Sequence, residues 1–332
     1  MKININGSSK NINYKNINSV KFLPYEREKV EVLYRVKIRL GKPRKRSAEE
    51  LLNFGLINLD KPKGPKSIHV GNKLRAILEQ PKLGHAGTLD PLATGVLPIG
   101  LGKAVKILPV LSKAGKVYEG KMHFHGEVPE EKIREAFQKF TGKIEQLPPR
   151  ISAVARKLRE REIYWFDLKK KQNRDVWFEV GCEAGTYIRK LCHDVGLYLG
   201  VGAHMTELRR IQAGPFKISN SVTLSDVKNN YQKYLKTKKE QYIRKFVLPP
   251  EEGVMHLPKV YVHDSVLERF KHGSPIFLPG ILAFTSNIKK GDIVAIFDSS
   301  KNLIGLGVAE MSAQQMEKEQ KGLAVKTDVV LV

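Results

Sequence analysis

The chain has 332 residues, enough for two domains of ordinary size, and its apolar fraction of 41% is sufficient for a packed core. Its 58 basic and 34 acidic residues give a formal net charge of +24, which favours a polyanionic partner, most simply nucleic acid. Two cysteines without a Cys-x-x-Cys pair argue against a disulfide scaffold and a structural zinc site. Because the N-terminus lacks a signal-type apolar segment and residues 274–288 are too short to span a bilayer, we expect a soluble, cytoplasmic protein.

The first 47 residues form a predicted basic arm. They contain 13 basic and three acidic residues, a net charge of +10. Such an arm is either a solvated tail or a segment that lies on RNA or on another part of the protein. Apolar residues alternate with charged ones between residues 30 and 40, which predicts a strand there.

A globular domain is predicted over residues 48–252. Helices and strands alternate irregularly in it, without a βαβ repeat or a Gly-x-Gly-x-x-Gly phosphate loop, which indicates an α+β fold with a mixed, mostly antiparallel sheet. The predicted elements, in chain order, are a strand ending near Leu59, a helix capped by Ser67 and ending near Gln80, a long Gly/Pro loop over 84–102, a strand over 118–125, a helix from Pro129 to near Gly142, strands over 164–168 and 176–182, and a helix through Leu199.

A second, smaller domain is predicted over residues 253–332. The stretch 248–253 is rich in proline and glutamate and is typical of a linker. Beyond it, several short strands are separated by glycine turns, which predicts a small β-barrel.

The most unusual stretch of the sequence is residues 84–95, here named the Asp90 segment. It contains three glycines, and Asp90 is its single carboxylate. An aspartate before a proline is common in plain turns. An isolated carboxylate on a rigid glycine loop is alternatively a candidate nucleophile or general base, because glycines let the backbone approach a ligand closely.

Three other groups of residues have both a structural and a functional interpretation. Arg189 follows a Gly-Thr turn and either pairs with a surface residue or holds Asp90 ionised and aimed. Tyr118 is either a core residue or an aromatic face on which a base stacks. Residues 154–174 combine basic side chains with Tyr164, Trp165 and Phe166, which is typical of a solvated face or of an RNA-contacting one.

The Asp90 segment resembles the catalytic motif of the pseudouridine synthases that modify the T-loop uridine of tRNA, and of their dyskerin-type relatives. The resemblance to the catalytic motif continues through residues 97–98 and 103–108. The other motifs of the family appear in order along the chain and extend the resemblance over roughly residues 51–332; they are residues 59–64, Tyr118, 185–191 and 208–210. Residues 148–154, 158–164 and 199–205 are similar to the archaeal and eukaryotic branch, and the C-terminal unit to a PUA domain. Two positions depart from the pattern of the family: Ala86 stands where a hydroxyl residue is usual, and Lys66 stands where threonine is usual.

The resemblance implies an isomerase that converts uridine to pseudouridine without a metal or an organic cofactor. It makes Asp90 the catalytic residue and Arg189 the group that keeps it charged. It implies that Tyr118 stacks on the base and assists the late proton removal. Tyr187 and Leu208 would line the pocket, and His85 and Lys61 would support the loop or the flipped nucleotide.

The same resemblance favours the catalytic subunit of an H/ACA ribonucleoprotein, in which a guide RNA selects the target uridine in rRNA. It also implies that the same protein acts on the T-loop uridine (U55) of tRNA. The implied partners are guide RNA, rRNA and tRNA, two small H/ACA proteins on the catalytic domain and a kink-turn-binding ribosomal-type protein, with no membrane. Two alternatives remain open, a stand-alone tRNA pseudouridine synthase and a non-catalytic RNA-binding scaffold.

Overall fold

The computed structural model describes residues 3–4, 21–147 and 157–332. The resemblance motif at 148–154 and most of the first 20 residues of the predicted arm lie outside this range. The strands, in chain order, are β1 (Ile3–Asn4), β2 (Glu31–Tyr34), β3 (Leu56–Lys61), β4 (Leu83–His85), β5 (Thr94–Leu101), β6 (Lys116–Phe124), β7 (Gly142–Gln146), β8 (Arg159–Gln172), β9 (Asp175–Cys182), β10 (Ala203–Ala213), β11 (Phe216–Lys217), β12 (Lys259–Val262), β13 (Ile276–Phe277), β14 (Ile281–Thr285), β15 (Ile293–Phe297), β16 (Leu303–Ala309) and β17 (Leu323–Val330).

The α-helices are short, and the longest has 14 residues. In chain order they are α1 (Pro24–Arg27), α2 (Ala48–Asn53), α3 (Ser67–Leu78), α4 (Leu108–Lys113), α5 (Glu130–Lys139), α6 (Ile188–Tyr198), α7 (Leu224–Thr237), α8 (Leu267–Lys271) and α9 (Ala313–Lys318). The described chain divides into two compact units. One runs from Ile57 to Leu248, and the other combines the residues up to Leu56 with Pro249–Val332.

The unit from Ile57 to Leu248 is built on one mixed sheet. Its strand order is β3-β5-β10-β6-β9-β8-β7, with β4 beside β5 and β11 beside β10. The pairing of β5 with β10 is parallel, whereas those of β4 with β5, β10 with β11, β10 with β6, β6 with β9, β9 with β8 and β8 with β7 are antiparallel. The predicted α+β class with a mostly antiparallel sheet is confirmed. The pairing places Tyr118 of β6 opposite Arg210 of β10, which brings two separate motifs together.

One face of this sheet packs on α5 and α6 and forms the core. Phe166 of β8 stacks on Phe137 of α5 with ring centroids 3.7 Å apart. Trp165 and Phe166 are both buried, so the interpretation of these two aromatics as an RNA-contacting face is wrong. Neighbouring residues of a strand point to opposite faces. Phe166 therefore packs into the core on Phe137, whereas Trp165 covers Gly181 on the other face and its indole N–H donates to Glu179 at 3.0 Å.

Two local predictions around the Asp90 segment are wrong. The predicted loop 84–102 is mostly strand, because residues 94–101 form the buried strand β5. A strand that is covered on both faces shows no alternation to reveal it. Ser67 begins α3 but does not cap it. Its hydroxyl donates to the carbonyl of Leu89 and accepts from the Leu89 amide, at 3.0 and 2.9 Å.

The other unit joins the two ends of the chain. Its sheet has the order β1-β2-β14-β12-β15-β16-β17-β13 and surrounds a core that includes Phe270, Phe284 and Ile296. The strand predicted within residues 30–40 is present as β2 and pairs antiparallel with β14. The backbone of Glu31 donates to the Ser286 hydroxyl, 255 positions along the chain.

A buried ion pair fastens the arm within this unit. The guanidinium of Arg46 donates two 2.7 Å hydrogen bonds to the carboxylate of Glu251, and both side chains are largely buried. Glu251 also accepts from the backbone of Leu303. The predicted linker 248–253 is therefore part of the packed structure, and a short 3-10 helix occupies Pro250–Val254.

We expect Glu251→Gln to destabilise the protein by about 3 kcal/mol, because it leaves the buried Arg46 guanidinium without its counter-charge. Chemical denaturation of wild type, Glu251→Gln and the neighbouring Glu252→Gln measures the effect. Glu252 lies on the surface, so its amide variant should remain within about 0.5 kcal/mol of wild type. Equal stability of the two variants would contradict the assignment.

Candidate active site

The centre of the site is an exposed ion pair between Asp90 and Arg189. A guanidinium nitrogen of Arg189 donates to the Asp90 carboxylate at 2.7 Å. The side chain of Asp90 is 56% exposed and that of Arg189 is 59% exposed. Arg189 projects from the first turn of α6, and its pairing with Asp90 was predicted from the sequence. The pair leaves a charged carboxylate that is both fixed in direction and open to a ligand.

The backbone around Asp90 is held from several sides. Besides the Ser67 contact at Leu89, the Gly64 amide donates to the carbonyl of Pro91 at 2.8 Å. The Lys61 amine donates to the carbonyl of Ala93 at 2.8 Å and reaches that of Pro91 at 3.4 Å. A segment fixed in this way does not need to reorganise when a substrate arrives.

Lys61 is a buried cation beneath the Asp90 segment. Its side chain is fully buried. Burial lowers the pKa of its amine, and the Asp90 carboxylate acts in the opposite direction. The amine donates to carbonyls of the segment and of Pro62. Lys61 therefore supports the loop from beneath, and its side chain has no exposed surface.

Tyr118 and Leu208 lie on the adjoining strands of the sheet. Tyr118 is 8% exposed, and burial raises the pKa of its phenol, while the neighbouring Arg210 guanidinium opposes that shift. Leu208 is partly buried against the same core and pairs with Gly120 of β6. The Asp90 carboxylate is one of the charges that raise the pKa of this phenol, so the two groups lie near one another.

His85 and Tyr187 flank this centre. The His85 ring lies 3.3 Å from the Thr88 hydroxyl, and burial lowers the pKa of the imidazole. Tyr187 precedes α6, where its backbone amide donates to the side chain of Gln146 at 2.9 Å. The buried Gln146 amide donates back to the Tyr187 carbonyl. No described contact joins Tyr187 to Asp90 directly.

Sequence reasoning missed the cations behind the Asp90 segment. Arg210 is buried and donates to the carbonyls of Gly87 and Val96. Lys116 is buried as well and donates to the carbonyls of Ser112 and Ala114, at 2.6 and 2.5 Å. Lys116 stands two positions before Tyr118 on the same strand, and this spacing was the one available signal, because residues i and i+2 share a face.

Burial lowers the pKa of Lys116 to about 7, with the Arg210 charge as a second cause. The unfolded chain therefore binds this proton throughout the range from about 7 to 10.5, whereas the folded chain does not. Stability should rise with pH over that range, by on the order of 3 kcal/mol between pH 7 and 9. Chemical denaturation at the two pH values should show that Lys116→Met loses this rise and that the exposed-helix control Lys113→Met keeps it. An unchanged rise in Lys116→Met would contradict the assignment.

A groove of about 530 Å³ opens beside the site. Leu92 of the Asp90 segment and Leu208 are among the residues that line it. The ring of Trp177 is partly exposed there, and its centroid lies 4.6 Å from the amine of Lys121 and 4.9 Å from that of Lys170. Lysines and glutamates both line it, namely Lys63, Lys121, Lys169, Glu119, Glu179 and Glu207. An open groove that combines apolar and aromatic surface with charged side chains suits an extended charged chain better than a small apolar ligand.

The described residues contain no group of three or more histidine, cysteine or carboxylate side chains arranged to hold a metal ion. Both cysteines are buried as free thiols, and burial raises their pKa values. In the same part of the chain, no helix has the length and apolar character needed to cross a membrane.

Comparison with protein families gives three consecutive matches. Residues 75–188 match the TruB family pseudouridylate synthase (N terminal domain), residues 189–255 the tRNA pseudouridylate synthase B C-terminal domain, and residues 258–331 the PUA domain. Among curated proteins, a probable tRNA pseudouridine synthase B of Pyrococcus abyssi is 47% identical over 87% of each chain. A protein of the same description from Methanopyrus kandleri is 44% identical over 93% of each chain.

Solved structures show the same similarity over nearly the whole chain. A chain in the crystal structure of a Cbf5-Nop10-Gar1 complex matches with a TM-score of 0.89 and 44% identity, covering 94% of this chain and 96% of that one. A chain in the structure of an H/ACA RNP bound to a substrate RNA containing 2'-deoxyuridine matches with a TM-score of 0.86 and 43% identity, covering 94% and 97%.

Proposed function

Because this chain belongs to the TruB family of pseudouridine synthases, we propose that it isomerises uridine to pseudouridine in RNA as the catalytic subunit of an H/ACA-type guide-RNA ribonucleoprotein. One observation carries the proposal. An exposed carboxylate, Asp90, is held 2.7 Å from Arg189 on a backbone segment that is fastened from beneath. A reacting group needs this combination of access and fixed direction.

The reaction rearranges one nucleotide without adding or removing atoms. The bond between N1 of uracil and C1′ of the ribose breaks, the base turns, and C5 bonds to C1′ and then loses its proton while N1 gains one. Asp90 starts this sequence, and Arg189 keeps its carboxylate directed at the nucleotide. Tyr118 and Leu208 hold the base on the sheet side, while Tyr187 and His85 complete the rim. Taking the uridine out of a folded RNA costs a few kcal/mol, which contacts to the RNA backbone offset.

We expect Arg189→Lys to lower the rate of pseudouridine formation roughly 10–100-fold while changing the RNA dissociation constant less than about threefold. Lysine keeps the charge but cannot present the planar fork that fixes a carboxylate. The matched control is Lys190→Arg, which changes the next side chain and keeps its pairing with Asp194. Single-turnover rates at saturating RNA measure both. A wild-type rate in Arg189→Lys would remove Arg189 from the site.

The ribonucleoprotein part of the proposal is supported by the structural matches. One of the two complexes named above contains Nop10 and Gar1 and the other a substrate RNA, and each includes a chain that matches 94% of this one. We place the chemistry in residues 48–252 and guide-RNA binding in the PUA domain over 253–332, with the basic arm 1–47 assisting. The implied partners are guide RNA, rRNA, two small H/ACA proteins and a kink-turn-binding protein. Buried free thiols and RNA partners fit a cytoplasmic location.

The curated relatives support a second function, because they are described as probable tRNA pseudouridine synthases B. One protein can act on a guided rRNA uridine and, alone, on the T-loop uridine of tRNA. Both activities use the same Asp90 site and differ only in how the RNA is presented.

An assay with two RNAs separates these functions. Purified protein is incubated with a tRNA transcript and with an rRNA fragment, each with and without a matching guide RNA and the small partner proteins, and pseudouridine is quantified after nuclease digestion. Guide-dependent product on the rRNA fragment supports the ribonucleoprotein role, and guide-independent product on tRNA supports the second function. Binding of both RNAs without product under every condition would leave only an RNA-binding scaffold and overturn the proposal.

The salt dependence of RNA binding reports how far the +24 charge contributes. Each phosphate neutralised on a single strand should add about −0.7 to the slope of log affinity against log salt. A slope near zero would contradict the role given to the basic arm and the PUA domain.

A further inference from the structure

Arg210 is a buried cation with an unusual set of partners. Its side chain is 1% exposed. Its guanidinium donates to the carbonyls of Val96 and Gly87, at 2.7 Å each. Within the described residues it forms no ion pair with a carboxylate. Burying a charge that is satisfied mainly by backbone carbonyls costs free energy. A need to hold those carbonyls in place is a reason for such a residue to be there. Both carbonyls belong to the Asp90 segment or to the strand that continues it.

Two glycines of the Asp90 segment are packed directly on Arg210. A side chain on Gly87 would come within 3.2 Å of the guanidinium, and one on Gly95 within 2.2 Å of the Arg210 carbonyl oxygen. Both glycines have positive φ angles, +74° and +101°. The segment is therefore packed against Arg210 at Gly87 and at Gly95, and Asp90 lies between these two glycines in the sequence.

The same guanidinium also reaches Tyr118. Tyr118 lies opposite Arg210 in the β6–β10 pairing, so the two side chains are on the same face of the sheet. The Arg210 guanidinium opposes the rise that burial causes in the pKa of the Tyr118 phenol. Arginine has only donors, so in a hydrogen bond between the two side chains the Tyr118 oxygen is the acceptor. The phenol proton is then free to be donated to another group.

From these contacts we propose that Arg210 is a positioning residue of the isomerisation, fixing the Asp90 segment through Gly87 and Val96 and turning the Tyr118 hydroxyl toward the flipped base as a hydrogen-bond donor. This inference rests on the proposed function. It assigns a role to the second arginine of the Leu-Arg-Arg motif, which neither charge nor pattern distinguishes from the first. Arg209 instead pairs with Asp60 at 2.7 Å.

The adjacent arginine is a matched control for the kinetic test. Arg210→Lys and Arg209→Lys keep the charge, and each loses one forked set of hydrogen bonds. We expect Arg210→Lys to slow single-turnover pseudouridine formation at saturating RNA about 10–100-fold, with the RNA dissociation constant within threefold of wild type, and Arg209→Lys to stay within threefold in both. Equal losses in the two variants, or a wild-type rate in Arg210→Lys, would overturn the proposal.

A spectroscopic measurement tests the contact with Tyr118 without relying on turnover. In protein with ¹³C at the tyrosine Cζ, the resonance that disappears in Tyr118→Phe belongs to Tyr118, and it should shift in Arg210→Lys but not in Arg209→Lys. If Arg210→Lys does not fold, the guanidinium ¹⁵N resonances of Arg210 in Tyr118→Phe report the same contact. An unshifted resonance would overturn the inference. Absence of pseudouridine from wild-type protein would instead count against the proposed function.

Discussion

We expect Asp90→Asn to bind RNA as tightly as the wild type and to form pseudouridine at least ~10⁴-fold more slowly. The amide has the size of the carboxylate and can still contact Arg189, but it neither attacks as a nucleophile nor accepts a proton. Because Asp90 and its partner Arg189 are both exposed, loss of this ion pair should change the stability of the protein by less than about 1 kcal/mol. RNA binding and single-turnover product formation are measured on the same preparation.

The control for this result is Asp175→Asn. Asp175 is also a surface carboxylate with basic partners, Lys121 and His123, but it lies on β9 and far along the sheet from the Asp90 segment. Its variant should retain wild-type turnover. Substantial product from Asp90→Asn, or an equal loss in both variants, would exclude Asp90 as the reacting side chain.

The largest effect on stability is expected for Gly95→Ala, at roughly 3–5 kcal/mol. The new methyl group would lie 2.2 Å from the carbonyl oxygen of Arg210 and 2.8 Å from its amide nitrogen. Two backbone atoms of a paired strand cannot move aside as a flexible side chain does, so β5 and β10 must separate locally. Strain at the positive φ angle of +101° adds about 1–3 kcal/mol.

Gly142→Ala separates the two contributions. Gly142 has a similar φ angle, +93°, but its missing side chain faces open space. Its alanine variant should lose only the conformational part, about 1–3 kcal/mol. Denaturant titrations of the two variants against wild type measure the difference. Equal losses would show that the close approach of Gly95 to Arg210 contributes nothing.

Much of the fold was predictable from the sequence because its signals are local. The proline and two acidic residues at the start of α5, and the alternation along β6, identify these elements without tertiary information. The buried strand β5 was not recognised, because a strand covered on both faces has no alternation. The Ser67 cap was predicted from a local preference, and the backbone of Leu89 instead takes up that hydroxyl.

The candidate site divides in the same way. Asp90 stood out as an isolated carboxylate among glycines, and its pairing with Arg189 was one of two interpretations of that arginine, which the family resemblance then favoured. Arg210 could not be identified, and only the spacing to Tyr118 pointed to Lys116, because a basic residue in a basic chain is normally expected at the surface. The pairing of β6 with β10 brings the two residues onto neighbouring strands, where both side chains are buried. This pairing is a tertiary feature that the sequence does not display.

The pairing of β2 with β14 joins residues that are synthesised far apart in time. Glu31 leaves the ribosome 255 positions before its partner Ser286, a delay of about 10–50 s at ordinary elongation rates of about 5–20 residues per second. Throughout that interval the arm has no sheet to join, whereas the unit from Ile57 to Leu248 has all of its strands once Leu248 has been made, 38 positions before Ser286. The catalytic unit can therefore be folded on the ribosome while the basic arm is still free, and the arm closes the C-terminal sheet as one of the last events of folding.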